Sequence, residues 1–200
     1  MKPLPRLIIA TRNAHKTAEI RQMIGGRFEV LDVTPFPECP EIKETGTTFL
    51  ENARLKAEGI SRVLDGWVLS DDSGLEVDAL GGAPGVWSSS FGGEEGNHAR
   101  NNARLIAEME GKADRAARFH CTMVLARSGC EQAHFSGTVE GRIIEAPRGG
   151  QGFGYDPLFV PDGYEETFSE LGGDVKSLLS HRSRALAKAV RFLESCGNGD

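Results

Sequence analysis

Apolar positions follow two rhythms along this chain, and the switches between them predict its elements. Leu7-Ile8-Ile9-Ala10 is a short unbroken apolar run, the pattern of a strand covered on both faces. It ends at Thr11-Arg12-Asn13-Ala14-His15-Lys16, after which Ile20, Met23 and Ile24 recur at helical spacing until Gly25-Gly26. Phe28 to Val33 reads as a second strand, and Pro35, Pro37 and Pro40 then impose an extended loop. Thr48-Phe49-Leu50-Glu51 matches a capping box, and Phe49, Ala53, Ala57 and Ile60 give the following helix one buried face.

A further apolar run climbs through Val68-Leu69 into Ser70-Asp71-Asp72-Ser73-Gly74-Leu75. Neighbouring side chains on a strand face opposite ways, so both acids reach one cleft only if the strand ends there and Gly74 turns the chain. That is the expectation: a buried strand delivering two carboxylates at its C-terminal end, with a polar turn as the plainer alternative. Leu75 to Leu80 alternates again, Gly81 to Trp87 is a glycine-rich loop, and Glu94 to Glu110 is a helix buried through Asn102, Leu105, Ile106 and Met109. Phe119, Cys121, Met123 and Leu125 alternate with polar neighbours, as do Ala133, Phe135 and Val139 beyond Ser128-Gly129. This predicts a hairpin with one core face and makes the sheet mixed. The last helix presents Leu186, Val190 and Leu193, with Ser180 as its N-cap. The fold class is α/β, and 200 residues without a repeat or linker suit one domain, or one with a lobe.

Composition narrows the partners. Hydrophobic residues at 39% and charged residues at 26% are ordinary for a soluble protein. No window approaches the ~18 to 20 apolar residues of a membrane span. Met1-Lys2-Pro3-Leu4-Pro5 leads into an apolar run too short for a signal peptide, so no membrane role and a cytoplasmic location are expected. A net charge of −6 disfavours a nucleic-acid polymer and leaves a small anion in a local basic pocket as the better partner. Cys39, Cys121, Cys130 and Cys196 have no zinc-ligand spacing and read as reduced thiols, Cys121 in the core. The histidines form neither HExxH nor HxH, so any metal should be held by oxygen.

Several groups could carry chemistry. The junction at Thr11 to Lys16 offers free N–H groups and a helix dipole, with Asn13 and Lys16 placed for an anion; an N-cap beside a solvated lysine fits equally well. Asn52 and Lys56, four apart, line either a pocket or a solvated face. In Gly149 to Pro157 the spacing is not GxGxxG; Phe153 and Tyr155 in a glycine frame suit stacking on a planar ring with Asp156 at a polar edge, or simply anchor a loop. His181 and Arg182 in the first turn of a helix oppose its dipole and are better explained facing an anion, with Lys176 just before them. His120 and His134 fall on a polar face and read as structural.

Six motifs then occur in order: Thr11-Arg12-Asn13 with Lys16, Glu44-Thr45-Gly46 leading into Phe49-x-Glu51-Asn52-Ala53, Asp71-Asp72-Ser73-Gly74-Leu75, Gly81-Gly82-Ala83-Pro84-Gly85, Phe153-Gly154-Tyr155-Asp156-Pro157, and Ser180-His181-Arg182. From Leu7 to Leu193 the chain resembles the inosine triphosphate pyrophosphatase family, the bacterial dITP/XTP pyrophosphatases that remove deaminated purine nucleotides. The resemblance implies an elongated mixed sheet between two lobes with a central cleft, a homodimer, and release of pyrophosphate from ITP, dITP or XTP. It implies that Thr11, Arg12, Asn13, Ala14, His15 and Lys16 bind the triphosphate. Glu44 and Asp72, with Asp71 in reserve, would serve a Mg²⁺ site, and Asp72 would be the general base. Ser73, Phe153, Gly154, Tyr155, Asp156, Lys176, His181 and Arg182 would bind the nucleotide; the pocket reading of Asn52 and Lys56 rests on their spacing and adds them to the substrate-binding candidates. One departure stands out: Val86-Trp87-Ser88-Ser89-Ser90-Phe91 lacks the arginine usual in bacterial relatives, for which Arg100 or Arg104 are candidate substitutes. A pyrophosphatase for modified pyrimidine triphosphates and a nucleotide-binding regulator without turnover remain the alternatives.

Overall fold

The computed structural model describes residues 4–197, so Met1 to Pro3 of the leading stretch lie outside it. The order is β1 (Arg6–Ile9), α1 (Ala14–Ile24), β2 (Glu29–Asp32), α2 (Phe49–Ser61), β3 (Trp67–Val77), α3 (His98–Glu108), β4 (Ala116–Arg127), β5 (Cys130–Ile143), β6 (Phe159–Pro161), α4 (Phe168–Leu179) and α5 (His181–Gly197). The strands form one mixed sheet in the order β2-β1-β3-β4-β5-β6. β1 runs parallel to both β2 and β3, with Ile8 opposite Leu31 and Val68, and α1 and α2 are the crossovers that parallel pairing requires. β5 and β6 are antiparallel, and a turn at Ser128-Gly129, both residues in the left-handed region, joins β4 to β5. No helix of the described residues is long and apolar enough to cross a membrane.

The chain divides into two compact units, the first made of residues up to Asp72, Cys121–Gly137 and Ser183 onward, the second of Ser73–His120 and Thr138–Arg182. In the first unit the sheet is covered twice. Leu7, Ile9, Leu69, Cys121, Met123 and Leu125 pack on Ile20 and Ile24 of α1 and on Leu186, Val190 and Leu193 of α5. On the opposite face Ile8 and Val68 meet Ile60 and Leu64, and Val124 and Ala126 meet Ala53 and Ala57 of α2. Each buried Leu or Ile contributes roughly 1.5–3 kcal/mol. Double cover also corrects the expected hairpin, because Cys121 to Ala126 are all buried instead of alternating with solvent.

In the second unit Leu75, Val77, Ala117, Phe119, Val139, Ile143 and Phe159 from four strands pack with Leu105 of α3, with Met109 just after it, and with Phe168 of α4. This core explains the main departure from the sequence pattern. β3 does not end at the two acids; it runs on to Val77 because Leu75 and Val77 are fully buried and hold the chain in the sheet. Gly74 is not among the glycines with positive φ, so the expected turn is absent. α3 also starts later than expected, at His98, since Gly96 takes φ +72° and Asn97 caps the helix by accepting from the Arg100 N–H. β6 and α4 were not foreseen. α4 begins with a second capping box, Thr167-Phe168-Ser169-Glu170, but Gly172 at φ +77° interrupts its helical path and so blurs its periodicity.

Candidate functional site

The first unit gathers the two adjacent acids with two lysines. Because β3 continues, its side chains alternate: Leu69 and Asp71 face α1, while Val68, Ser70 and Asp72 face α2. Lys16, on the first turn of α1, places Nζ 3.2 Å from Asp71 Oδ1. Asn13 is the N-cap, its Oδ1 accepting from the N–H groups of His15 and Lys16 at 3.0 and 3.3 Å. Thr11 Oγ1 accepts from the Asn13 N–H, and an Arg12 guanidinium N–H donates to the Cys39 carbonyl at 3.1 Å. The capping and the anion readings of this junction are therefore compatible, but Lys16 is not a solvated lysine.

On the α2 side Asn52 and Lys56 are buried, so their face is no solvated one. Lys56 Nζ lies 2.9 Å from Glu44 Oε2 and 3.4 Å from Asp72 Oδ1, bridging the two carboxylates. Asn52 Nδ2 donates to Asp72 Oδ2 at 3.2 Å, and Asn52 Oδ1 accepts from the Gly46 N–H at 2.8 Å. Burial is the largest influence on Asp72 and, with the charges of Glu44 and Asp71, raises its pKa from 3.8 to about 6 against the pull of Lys56 and Lys16. For Lys56, burial disfavours the ammonium, yet Asp72, Glu44 and Asp71 more than offset this and its pKa ends above the usual value. With all five groups ionised, three carboxylates face two ammoniums, leaving one negative charge in excess.

That donor set bears on the expected metal. Among the described residues no three His, Cys, Asp or Glu side chains form a ready cage. Mg²⁺ takes one or two carboxylates together with waters and phosphate oxygens, and Glu44 and Asp72 converge on a single cation in a negatively charged surrounding. The residues fit the ion. Asp71, directed to the other face of β3, does not join Glu44 and Asp72 in that set.

The second unit holds the other motif residues. Asp156 is buried, accepting from Lys176 Nζ at 2.7 Å and from the Phe153 N–H at 2.9 Å, so it anchors its own loop instead of offering an open edge. Gly152 at φ +82° permits this: a Cβ there would lie 2.3 Å from Asp156 Oδ2. Tyr155 is also buried; its hydroxyl donates to the Ser88 carbonyl at 2.9 Å, and burial pushes the phenol above its usual pKa. The expectation of two stacking aromatics thus narrows to Phe153, which is half-buried with Lys176 Nζ 4.5 Å from its ring centre and the His98 ring at 6.1 Å. Gly154 is held by Asn102, whose Nδ2 donates to its carbonyl.

His181 and Arg182, buried at the start of α5, close this cluster. The His181 imidazole stacks on Phe119 at 5.0 Å, and the Arg182 guanidinium donates to Ser73 Oγ at 3.0 Å. Sequence reasoning missed His98, Ser88 and the role of Asn102, none of which carries a local signal for its partner. Neither candidate substitute for the absent arginine is idle: Arg104 donates to the Phe91 carbonyl and lies over its ring, and Arg100 pairs with Glu94. His120 and His134 sit beside Glu76 and Glu131, which accords with structural roles.

Comparison with known proteins points the same way as the motifs. The chain is 47% identical over 188 residues to the dITP/XTP pyrophosphatase of Geobacillus kaustophilus, covering 92% of each chain. It is 47% identical over 184 residues to the protein of that name from an Exiguobacterium species, covering 92% of this chain and 94% of the relative. Among solved structures, a HAM1 protein from Coxiella burnetii superposes with a TM-score of 0.88 at 34% identity, over 96% of this chain and all of that one. The sequence model of the Ham1 family matches residues 7–192, nearly the full length, and the chain belongs to the Ham1 family.

Proposed function

We propose that this protein is a Mg²⁺-dependent pyrophosphatase that converts deaminated purine nucleoside triphosphates, ITP, dITP and XTP, to monophosphates and pyrophosphate. The observation that carries the reading is the cluster of buried Asp72, Lys56 and Asn52 with the exposed Glu44 at its edge, in which a carboxylate with a pKa of about 6 is held beside an ammonium and a second acid. Family membership and the names of the relatives give it its substrate class.

In the first unit, the N-terminus of α1 with Lys16 and Arg12 supplies positive charge for the triphosphate. Asp72 orients the attacking water and accepts its proton, a role for which a pKa near the working pH is suited. Lys56 stabilises the charge that develops on the phosphate oxygens. Bound at Glu44 and Asp72, Mg²⁺ would neutralise triphosphate charge and polarise the scissile phosphate. In the second unit, Phe153 offers a ring face to the purine. Lys176, His181 and Arg182 bring donors suited to an oxygen at position 6 of the base, where adenine carries an amino group. We further propose that the enzyme acts as a homodimer in the cytoplasm on this small nucleotide, without a nucleic-acid polymer or a membrane as partner.

The test is a panel of ITP, XTP, dITP, ATP, GTP, dUTP and methylated pyrimidine triphosphates, assayed with Mg²⁺. Preferred turnover of ITP, dITP and XTP is expected. Preference for the pyrimidines, or binding without turnover, would replace the proposal by one of its alternatives.

A further inference from the structure

We propose that Asn52 is a positioning residue that latches the loop carrying Glu44 to the strand carrying Asp72, fixing the spacing of the two carboxylates around Lys56; this deepens, and rests on, the assignment of Asp72 above. Both ends of its amide are committed inside the protein. The Gly46 N–H can only donate, so Asn52 Oδ1, 2.8 Å away, must be the acceptor, and the amide NH₂ is thereby turned to Asp72 Oδ2 at 3.2 Å. The orientation of Asn52 follows from its partners without ambiguity. Asp72 is in turn held at both oxygens, by Asn52 at Oδ2 and Lys56 at Oδ1.

The loop side is equally constrained. A Cβ on Gly46 would lie 2.7 Å from Asn52 Oδ1 and 2.6 Å from Glu51 Cβ, so the latch requires glycine there. Glu51 Oε2 accepts from the Thr47 and Thr48 N–H groups at 2.7 and 3.1 Å. Residues 46 to 48 are therefore tied to the first turn of α2, and Glu44, two residues upstream, meets Lys56 one turn further along the same helix. With Asn52 only 3% exposed, its task differs from the pocket lining that its spacing from Lys56 suggested. Such partners of ligating and catalytic groups, when lost, typically cost about 10- to 100-fold in metal affinity or activity.

The experiment compares wild type, Asn52→Ala and Gly46→Ala, the last breaking the latch without altering any group at Asp72. Each is measured for kcat and KM with ITP and Mg²⁺, and for the rise in melting temperature caused by Mg²⁺ without nucleotide. The latch predicts, in both variants, a kcat lower by about 10- to 100-fold with KM near wild type, and loss of most of the Mg²⁺-induced rise. A raised KM with kcat preserved would make Asn52 a substrate contact and overturn the proposal, as would lowered thermal stability with both constants unchanged. If Asn52→Ala does not fold, Gly46→Ala decides by the same criteria. Wild type that binds Mg²⁺ but leaves ITP intact would overturn the proposed activity alone, and the Mg²⁺ melting shift would then judge the latch by itself.

Discussion

Replacing Asp72 with asparagine separates what this residue does for the fold from what it does for the reaction. Its carboxyl has a pKa of about 6 in the fold against an ordinary 3.8, so keeping it ionised costs the folded state about 3 kcal/mol above that pH. Asparagine removes this cost. It retains the hydrogen bond from Asn52, but its NH₂ then faces Lys56 Nζ where an oxygen accepted at 3.4 Å, a loss of roughly 1–3 kcal/mol. The absolute change at neutral pH is thus small, and the diagnostic quantity is its pH dependence. A folded pKa above the unfolded one means that the native state binds more protons between 3.8 and about 6, so wild-type stability falls as pH rises through that window. Asparagine cannot titrate, and the stability of Asp72→Asn relative to wild type should increase by about 2 kcal/mol from pH 4 to pH 7. Urea unfolding followed by circular dichroism in the presence of a chelator measures this directly, while kcat on ITP should drop by about 10²- to 10⁴-fold. A stability difference independent of pH would refute the buried, charge-crowded carboxylate, and near-normal turnover would refute its role as base.

Other substitutions probe neighbouring parts. Lys16→Ala should raise KM for ITP by about 10- to 100-fold, and Asp71→Asn should act in the same direction through Lys16, leaving kcat less affected than Asp72→Asn does; unchanged KM in both would contradict the cradle at α1. Phe153→Ala should raise KM, whereas Tyr155→Phe should leave KM alone and lower stability by about 1 kcal/mol through the bond lost to Ser88, as read by steady-state kinetics and urea unfolding. Glu51 and Glu170 are held below the usual carboxylate range by their backbone N–H partners, so the stability they provide is present above that range and is lost as pH falls through their depressed values. In thermal melts between pH 3 and 7, Glu51→Gln with Glu170→Gln should therefore show a shallower acid loss than wild type.

The parts legible in the sequence were those set by local rules. The apolar run of β1, the Asn13 cap, the capping box at Thr48 and the Ser128-Gly129 turn each specify their element within a few residues. Failures came where a distant core decided. Ser73-Gly74 carries every mark of a turn, yet Leu75 and Val77 draw β3 onward into the second core, and this sends Asp71 and Asp72 to opposite faces of the sheet. The members of the site were legible as charged or polar residues in motifs; their pairings were not. Lys16 with Asp71, Asn52 with Asp72 and Lys176 with Asp156 are joined by packing of helix on strand or helix on loop, which no spacing along the chain encodes. Tyr155 shows the opposite error, since an aromatic in a glycine frame looks available until the Ser88 carbonyl and the surrounding core claim it.

The proposed reaction is defined by where the triphosphate is cut and by which carboxylate activates the water. Incubation of the wild-type protein with ITP and Mg²⁺, with separation of all products by ion chromatography, tests this most directly. One inosine monophosphate and one pyrophosphate per ITP, with both formed about 10²- to 10⁴-fold more slowly by Asp72→Asn, is the predicted result; orthophosphate with inosine diphosphate, or undiminished product from Asp72→Asn, would contradict it.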